Sequence, residues 1–353
     1  PGRFADMSEL VALSGAAAKR GGLYVSHIRD EGRGGVAAVK EALEIGRRSN
    51  AQTHISHFKC SGPTQWHTAG ARLRLLDDAR AAGQDVTIDV YPYDRSSTTT
   101  DILLPDWALK DGRAGLREAL KSAQGRARLH ADIVAYMREN GWNDLKHVAL
   151  AAGRPEWVGR TLAEVPTPAA DADGQVENLI KVSAAGGAQA IYADMDEGDV
   201  DAVVKYPFCV FGSDSAVRDP DMVYKPHPRG SGTFPRIFGS FVHDTRSLEL
   251  AQAVRKATGQ AADIFHLAGR GYLRRGAWAD IVIFDPDRIQ AGADYDRPFD
   301  SPTGIDYVLV NGVVALDHGN LTGNRPAGMP VRGAVEGNSL ASRGPEDRLS
   351  KRD

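Results

Sequence analysis

Two histidines stand at the ends of short apolar runs. His27 closes Gly22-Leu23-Tyr24-Val25-Ser26-His27, and His57 closes Gln52-Thr53-His54-Ile55-Ser56-His57. A third run, Phe208-Cys209-Val210-Phe211-Gly212-Ser213, leads into Asp214. Imidazole nitrogens bind divalent transition metals, and a carboxylate beside such an ion can bind it or take the proton of an attacking water. Two His and one Asp therefore suit a hydrolytic metal centre. Each residue alone has a plainer reading, a hydrogen-bonded rim histidine or an aspartate capping a loop. Strand alternation puts His57 with Ile55 and Thr53 on one face and His54 with Ser56 on the other, so only one of the two histidines faces the site. His57, at the C-terminal end of its run, is the better ligand. Lys59, Arg29, Tyr91, Tyr93 and Arg229 are candidates for anchoring an anionic substrate, arginine as a bidentate clamp and lysine as a point charge. A solvated or salt-bridged surface charge is the competing reading for each of the three cations. Cys60 lies beside the same strand end, but a small buried residue is the simpler reading. His67, His130, His147, His243, His266 and His318 fall in helix, loop or tail contexts and read as structural or surface residues.

The elements that must position these side chains follow a rhythm of helix and strand. Periodicity predicts helix 7–20, strand 22–29, helix 35–48, strand 52–59, helix 67–82 and strand 85–92. Gly21-Gly22, Asn50 and Gly83 stand where the helices should stop. Repeated βα units argue an α/β fold with a parallel sheet and helices outside, in which successive strand ends point the same way and His27 and His57 converge on one mouth. The rhythm breaks over 95–187, read as a long, mostly helical insertion. It returns with Ala188 to Tyr192, helix 197–205 and strand 208–213, followed by a Gly/Pro/His-rich loop and helices at 247–257 and 259–267. Short strands at 279–285 and 307–312 predict a small β module. The domain reading is thus 1–94 for barrel βα units, 95–187 for the insertion, and 188–270 for the barrel end with the catalytic Asp loop and closing helices. A small β-sandwich module at 271–333 and a polar tail at 334–353 complete it.

Of the 353 residues, 42% are hydrophobic and 25% charged, which is enough apolar content for a large core plus a smaller domain. A net charge of −3 with scattered arginines gives no footprint for nucleic acid. No apolar stretch reaches the length of about 18 residues that a membrane span needs. Two cysteines, Cys60 and Cys209, make no disulfide framework and fit a reducing, cytoplasmic setting. The sequence opens at Pro1-Gly2-Arg3-Phe4 without Met, directly before a helix-like run. It reads as a fragment beginning in mid-domain, from which any signal peptide would have been lost.

The motifs resemble those of the N-acyl-D-amino-acid deacylases (D-aminoacylases) of the amidohydrolase superfamily. The resemblance rests on Tyr24-Val25-Ser26-His27-Ile28-Arg29-Asp30-Glu31-Gly32, Ile55-Ser56-His57-Phe58-Lys59, Asp89-Val90-Tyr91-Pro92-Tyr93, Phe211-Gly212-Ser213-Asp214-Ser215 and the stretch from His227 to Arg236. It runs from residue 1 to about 333, and Gly276 to Val282 is similar to the superfamily's closing β module. It implies a partial (β/α)8 TIM-like barrel. His27 would end strand 5, His57 strand 6, Asp89 to Tyr93 strand 7 and Asp214 strand 8, with the helical insertion before strand 8. It implies zinc (Zn2+), one ion tightly held by His27 and His57, with Asp214 as catalytic general base. Lys59, Tyr93 and Arg229 would be substrate-binding partners of a carboxylate. The implied reaction is hydrolysis of the amide bond of an N-acyl-D-amino acid, a small molecule, with neither nucleic acid nor membrane as partner.

The sequence departs from the family pattern in carrying no His-x-His pair and no cysteine before His27, so strands 1–4, and the ligands a second metal would need, are expected to lie outside it. Ser215 stands where many relatives carry Gly. Two competing readings are a cyclic-amide hydrolase of the dihydroorotase or hydantoinase type, and an inactive truncated scaffold that binds no stoichiometric zinc.

Overall fold

The computed structural model describes residues 4–217, 219, 221, 223–323 and 327–331; the polar tail expected at 334–353 lies outside these. Helix α1 (Met7–Ala18) opens on Asp6, whose side chain accepts the Glu9 N–H. Strand β1 (Tyr24–Ser26), helix α2 (Gly35–Ser49), strand β2 (Thr53–Ile55), helix α3 (Ala69–Ala81) and strand β3 (Val86–Val90) follow. Helix α2 buries Val39, Ala42, Leu43, Ile45 and Gly46 along one stripe and ends on Asn50 in the left-handed conformation, the stop its sequence announces.

The main sheet has the order β1-β2-β3-β7, all neighbours parallel, where β7 is Cys209–Phe211. Ser26 lies opposite Ile55, Ile55 opposite Ile88, and Val90 opposite Phe211, so the strands finish level with one another. Residues that leave these C-terminal ends therefore gather on one face. The core beneath is a buried cluster that includes Val39, Ile55, Leu76, Ile88, Val204 and Cys209. The strands are shorter than the apolar runs suggested. His57 lies beyond the end of β2, so strand alternation does not set its direction.

The segment expected to be mostly helical is a mixed unit. It contains β4 (Ser96–Thr99), α4 (Asp106–Leu109), α5 (Arg113–Ala119), α6 (Ala123–Asn140), β5 (Val148–Ala152) and α7 (Ala172–Ala184). Strand β6 (Gln189–Tyr192), expected to resume the parallel rhythm, instead pairs antiparallel with both β4 and β5 in a sheet of order β4-β6-β5. The Ser/Thr run that looked like a break is the edge strand of this sheet. The unit owns a second buried core, built on Leu129, Ile133, Leu145, Leu150, Leu162, Val176 and Leu179.

Helix α8 (Glu197–Lys205) returns the chain to β7. Helices α9 (Arg229–Arg236), α10 (Leu250–Ala257) and α11 (Gly259–Ile264) follow, with a π-helical stretch at Ile237–Asp244 between the first two. The C-terminal module is one antiparallel sheet of order β11-β10-β9-β8, formed by β8 (Ile281–Phe284), β9 (Ile305–Val310), β10 (Val313–Asp317) and β11 (Asn320–Leu321). A sandwich would need a second facing sheet; here Phe284 and Ile305 pack instead on the main core.

Candidate metal centre

At the C-terminal ends of the parallel strands, His27 Nδ1 lies 2.9 Å from His57 Nε2. Two nitrogens bound to one zinc at their usual distances sit about 3.3 Å apart at the tetrahedral angle. The pair is therefore spaced for a shared ion. Glu31 Oε1 stands 3.0 Å from His57 Nδ1 and 3.9 Å from His27 Nδ1. Among the described residues, His27, Glu31 and His57 form the one group of this kind, with donor atoms all within 4.8 Å of one another. With His57 Nε2 turned to a metal, its Nδ1 carries the proton and donates to Glu31, the usual way a ligating imidazole is oriented.

Lys59 completes the group. Its Nζ lies 2.5 Å from Glu31 Oε1 and 2.7 Å from His57 Nδ1. Burial pushes the Glu31 carboxyl up, but the Lys59 ammonium and the two imidazoles outweigh it and hold the group at about 2. Lys59 is thus half of a buried pair rather than a free surface charge.

Several features hold His57 in place. Its backbone is left-handed, with φ 39°, and its N–H donates to Asp89 Oδ1 at 2.8 Å. The other Asp89 oxygen lies 2.9 Å from His54 Nε2, while His54 Nδ1 meets Thr87 Oγ1 at 2.8 Å. His54 is fully buried and its nitrogens are engaged, so it braces the strand ends and does not face the site. Strained backbone of this kind persists where surrounding contacts over-determine it, and such positions cluster at functional sites.

Asp214 follows β7, also left-handed at φ 46°, and its carboxylate pairs with Arg229 Nη1 at 2.9 Å. Its charge acts on His27 across the mouth. Arg229 is buried, lies over the Tyr91 ring at 4.4 Å, and takes its backbone position from His227 Nδ1, which accepts the Arg229 N–H. His27, Glu31, His57, Lys59, Tyr91, Asp214 and Arg229 all line one cleft of about 800 Å³.

Tyr93 is not among the residues lining that cleft. Its N–H bonds back to the Tyr91 carbonyl at 2.9 Å, closing a three-residue turn that parts the two rings. Tyr93 packs against His227 and Tyr295, while Tyr91 enters the cleft with a buried hydroxyl that has no hydrogen-bond partner among the described residues. Arg29 is committed elsewhere, to a bidentate pair with Glu41. Cys60 is buried, and burial raises its thiol. Glu31 escaped the sequence reading, although its place four residues after His27 in a charged loop was the available signal.

The far wall of the cleft comes from the mixed unit and the residues just after it, through Ser96, Leu103, Tyr136, Trp142, His147, Tyr192 and Asp194. Burial raises the Asp194 carboxyl to about 6, against two bonds from the backbone and hydroxyl of Ser96.

The model of the amidohydrolase family matches residues 6–316. An N-acyl-D-glutamate deacylase of Alcaligenes xylosoxydans xylosoxydans is 38% identical over 313 residues, covering 88% of this chain and 55% of the relative. A D-aminoacylase of the same organism is 32% identical over 335 residues, covering 95% and 60%. The crystal structure of the N-acyl-D-glutamate deacylase of Bordetella bronchiseptica, complexed with zinc and a phosphonate mimic of the tetrahedral intermediate, superposes with a TM-score of 0.70 at 34% identity. That match covers 89% of this chain and 57% of the other. The chain thus spans a little over half the length of these relatives.

Proposed function

The chain belongs to the amidohydrolase family, and from that premise we propose that it carries the second half of a zinc-dependent deacylase acting on N-acyl-D-amino acids. The observation that carries this reading is the facing pair of His27 Nδ1 and His57 Nε2, level with Asp214 at the ends of parallel strands. The relatives named above support the substrate class, and the parallel order β1-β2-β3-β7 supports reading the sheet as strands 5–8 of a (β/α)8 barrel. The mixed unit from 95 to Tyr192 is then an insertion before the last barrel strand, and the antiparallel C-terminal sheet a separate module.

His27 and His57 would hold the ion. When bound there, zinc supplies a Lewis acid for the amide carbonyl and acidifies a water molecule. Asp214 accepts the proton of the attacking water and returns it to the departing nitrogen, so one water is consumed and a carboxylate and a free D-amino acid are released. Arg229 and Lys59 offer the α-carboxylate a guanidinium and an ammonium, Tyr91 a buried hydroxyl. Lys59 has three donors, of which Glu31 occupies one, since the His57 Nδ1–H is itself a donor to Glu31. Cys60 and Cys209, both buried and free, support a reducing compartment.

The test is release of free amino acid from N-acetyl-D- and N-acetyl-L-amino acids by the zinc-loaded protein, with dihydroorotate in parallel. D-selective release supports the reading. A zinc-bound protein that opens dihydroorotate and leaves the N-acyl-D-amino acids intact sinks it.

A further inference from the structure

Arg72, on α3, is the largest fully buried side chain among the described residues. Its guanidinium faces neutral acceptors. Nη1 donates to the carbonyls of Glu31 at 2.8 Å and Lys59 at 3.0 Å; Nη2 donates to the carbonyl of Gly32 at 2.8 Å and to Gln65 Oε1 at 3.0 Å. Nε has no partner among the described residues, and no carboxylate there pairs with the charge. A buried cation without a counter-ion is costly, and an apolar chain of similar length would fill the space without that cost. Burial of the charge by itself therefore does not account for an arginine here.

What the guanidinium touches does. Glu31 and Gly32 lie on the loop that follows β1 and carries His27; Lys59 lies on the loop that follows β2 and carries His57. The two residues whose carbonyls share Nη1 are the two whose side chains pair with each other at 2.5 Å beside His57 Nδ1. The rigid fork of one guanidinium spans both loops, which a lysine cannot do. The start of α2 is shaped to admit it, since a Cβ at Gly35 would collide with the Arg72 guanidinium. We propose that Arg72 is a positioning residue of the metal centre, clasping the loops after β1 and β2 so that Glu31 and Lys59 close around His57 and aim it at the ion.

This inference rests on the metal reading above, so its test carries one readout that does not. In the metal-free protein, Arg72→Met should accelerate amide exchange over 32–35 and at Ser61, whose N–H donates to Glu31 O, while the core strands stay protected. Zinc affinity, measured by competition with a chelator, should fall about ten- to a hundredfold, the usual range when the group orienting a ligand is lost. Arg72→Lys should recover only part of it. Gly35→Ala, which helix propensity alone would make stabilising, should lower zinc affinity in the same direction, as should Gln65→Ala by a smaller factor. If Arg72→Met does not fold, these last two variants carry the test. Folded variants with unchanged exchange and wild-type zinc affinity overturn the proposal, as does a lowered melting temperature without any change in affinity. If the wild-type protein binds no zinc, the function above fails while the exchange readout still decides the clasp.

Discussion

Asp214 and Arg229 hold each other at 2.9 Å, and this pair shapes what each can do. On the proposed function, a substrate carboxylate drawn to Arg229 would compete with Asp214, which would couple binding to release of the base through one guanidinium. Asp214→Asn keeps the shape of the side chain and removes its capacity to take a proton. General acid–base groups contribute roughly 10²–10⁴ in rate, so kcat should fall by at least about a hundredfold with zinc content unchanged. Steady-state kinetics alongside metal analysis check this. His57→Ala, in contrast, should lose zinc and activity together. A variant keeping both would remove His57 from the centre.

At the scale of elements, the mixed unit contributes to one wall of the cleft and carries its own core. His147, just before β5, stacks on Trp142 with ring centroids 3.7 Å apart, joining the end of α6 to the antiparallel sheet. Burial lowers the His147 imidazole to about 4, against an ordinary value of 6.5. The unfolded chain then binds the proton first as pH falls, so stability drops from about pH 6.5 and the full penalty is in place below about pH 4. His147→Phe keeps a stacking ring and removes the titration. Denaturant melts at pH 7 and pH 4 should show the wild type losing ground to His147→Phe at the lower pH. Equal pH dependence of the two would contradict the assignment.

For the whole molecule, stability and metal binding are linked, because the centre joins loops that follow separate strands of the main sheet. A ligand bound only by the folded state stabilises it by about 2.7 kcal/mol at a hundredfold excess over its Kd. Zinc should therefore raise the thermal midpoint of the wild type and leave that of His27→Ala unmoved, as differential scanning calorimetry would show. Among the described residues no helix is long and apolar enough to cross a membrane.

Much of this was legible in the sequence, because it depends on local pattern. The stripe of α2, its stop at Asn50, and the placing of His27, His57 and Asp214 after apolar runs follow from periodicity and turn chemistry, which act over a few residues. What the pattern lacked was partner choice. Ala188 to Tyr192 is a mainly apolar run that either sheet could bury, and only pairing with the distant strands β4 and β5 decides for the antiparallel one. Tyr91 and Tyr93 are equivalent by alternation until the chain turns between them. Glu31 becomes a member of the centre only when Lys59, twenty-eight positions later, is brought to its carboxylate. Asp214 meets Arg229 instead of standing free for the same reason. Local composition reports which residues want burial or carry charge; which charge meets which is settled by contacts between distant segments, and those exist only in the folded chain.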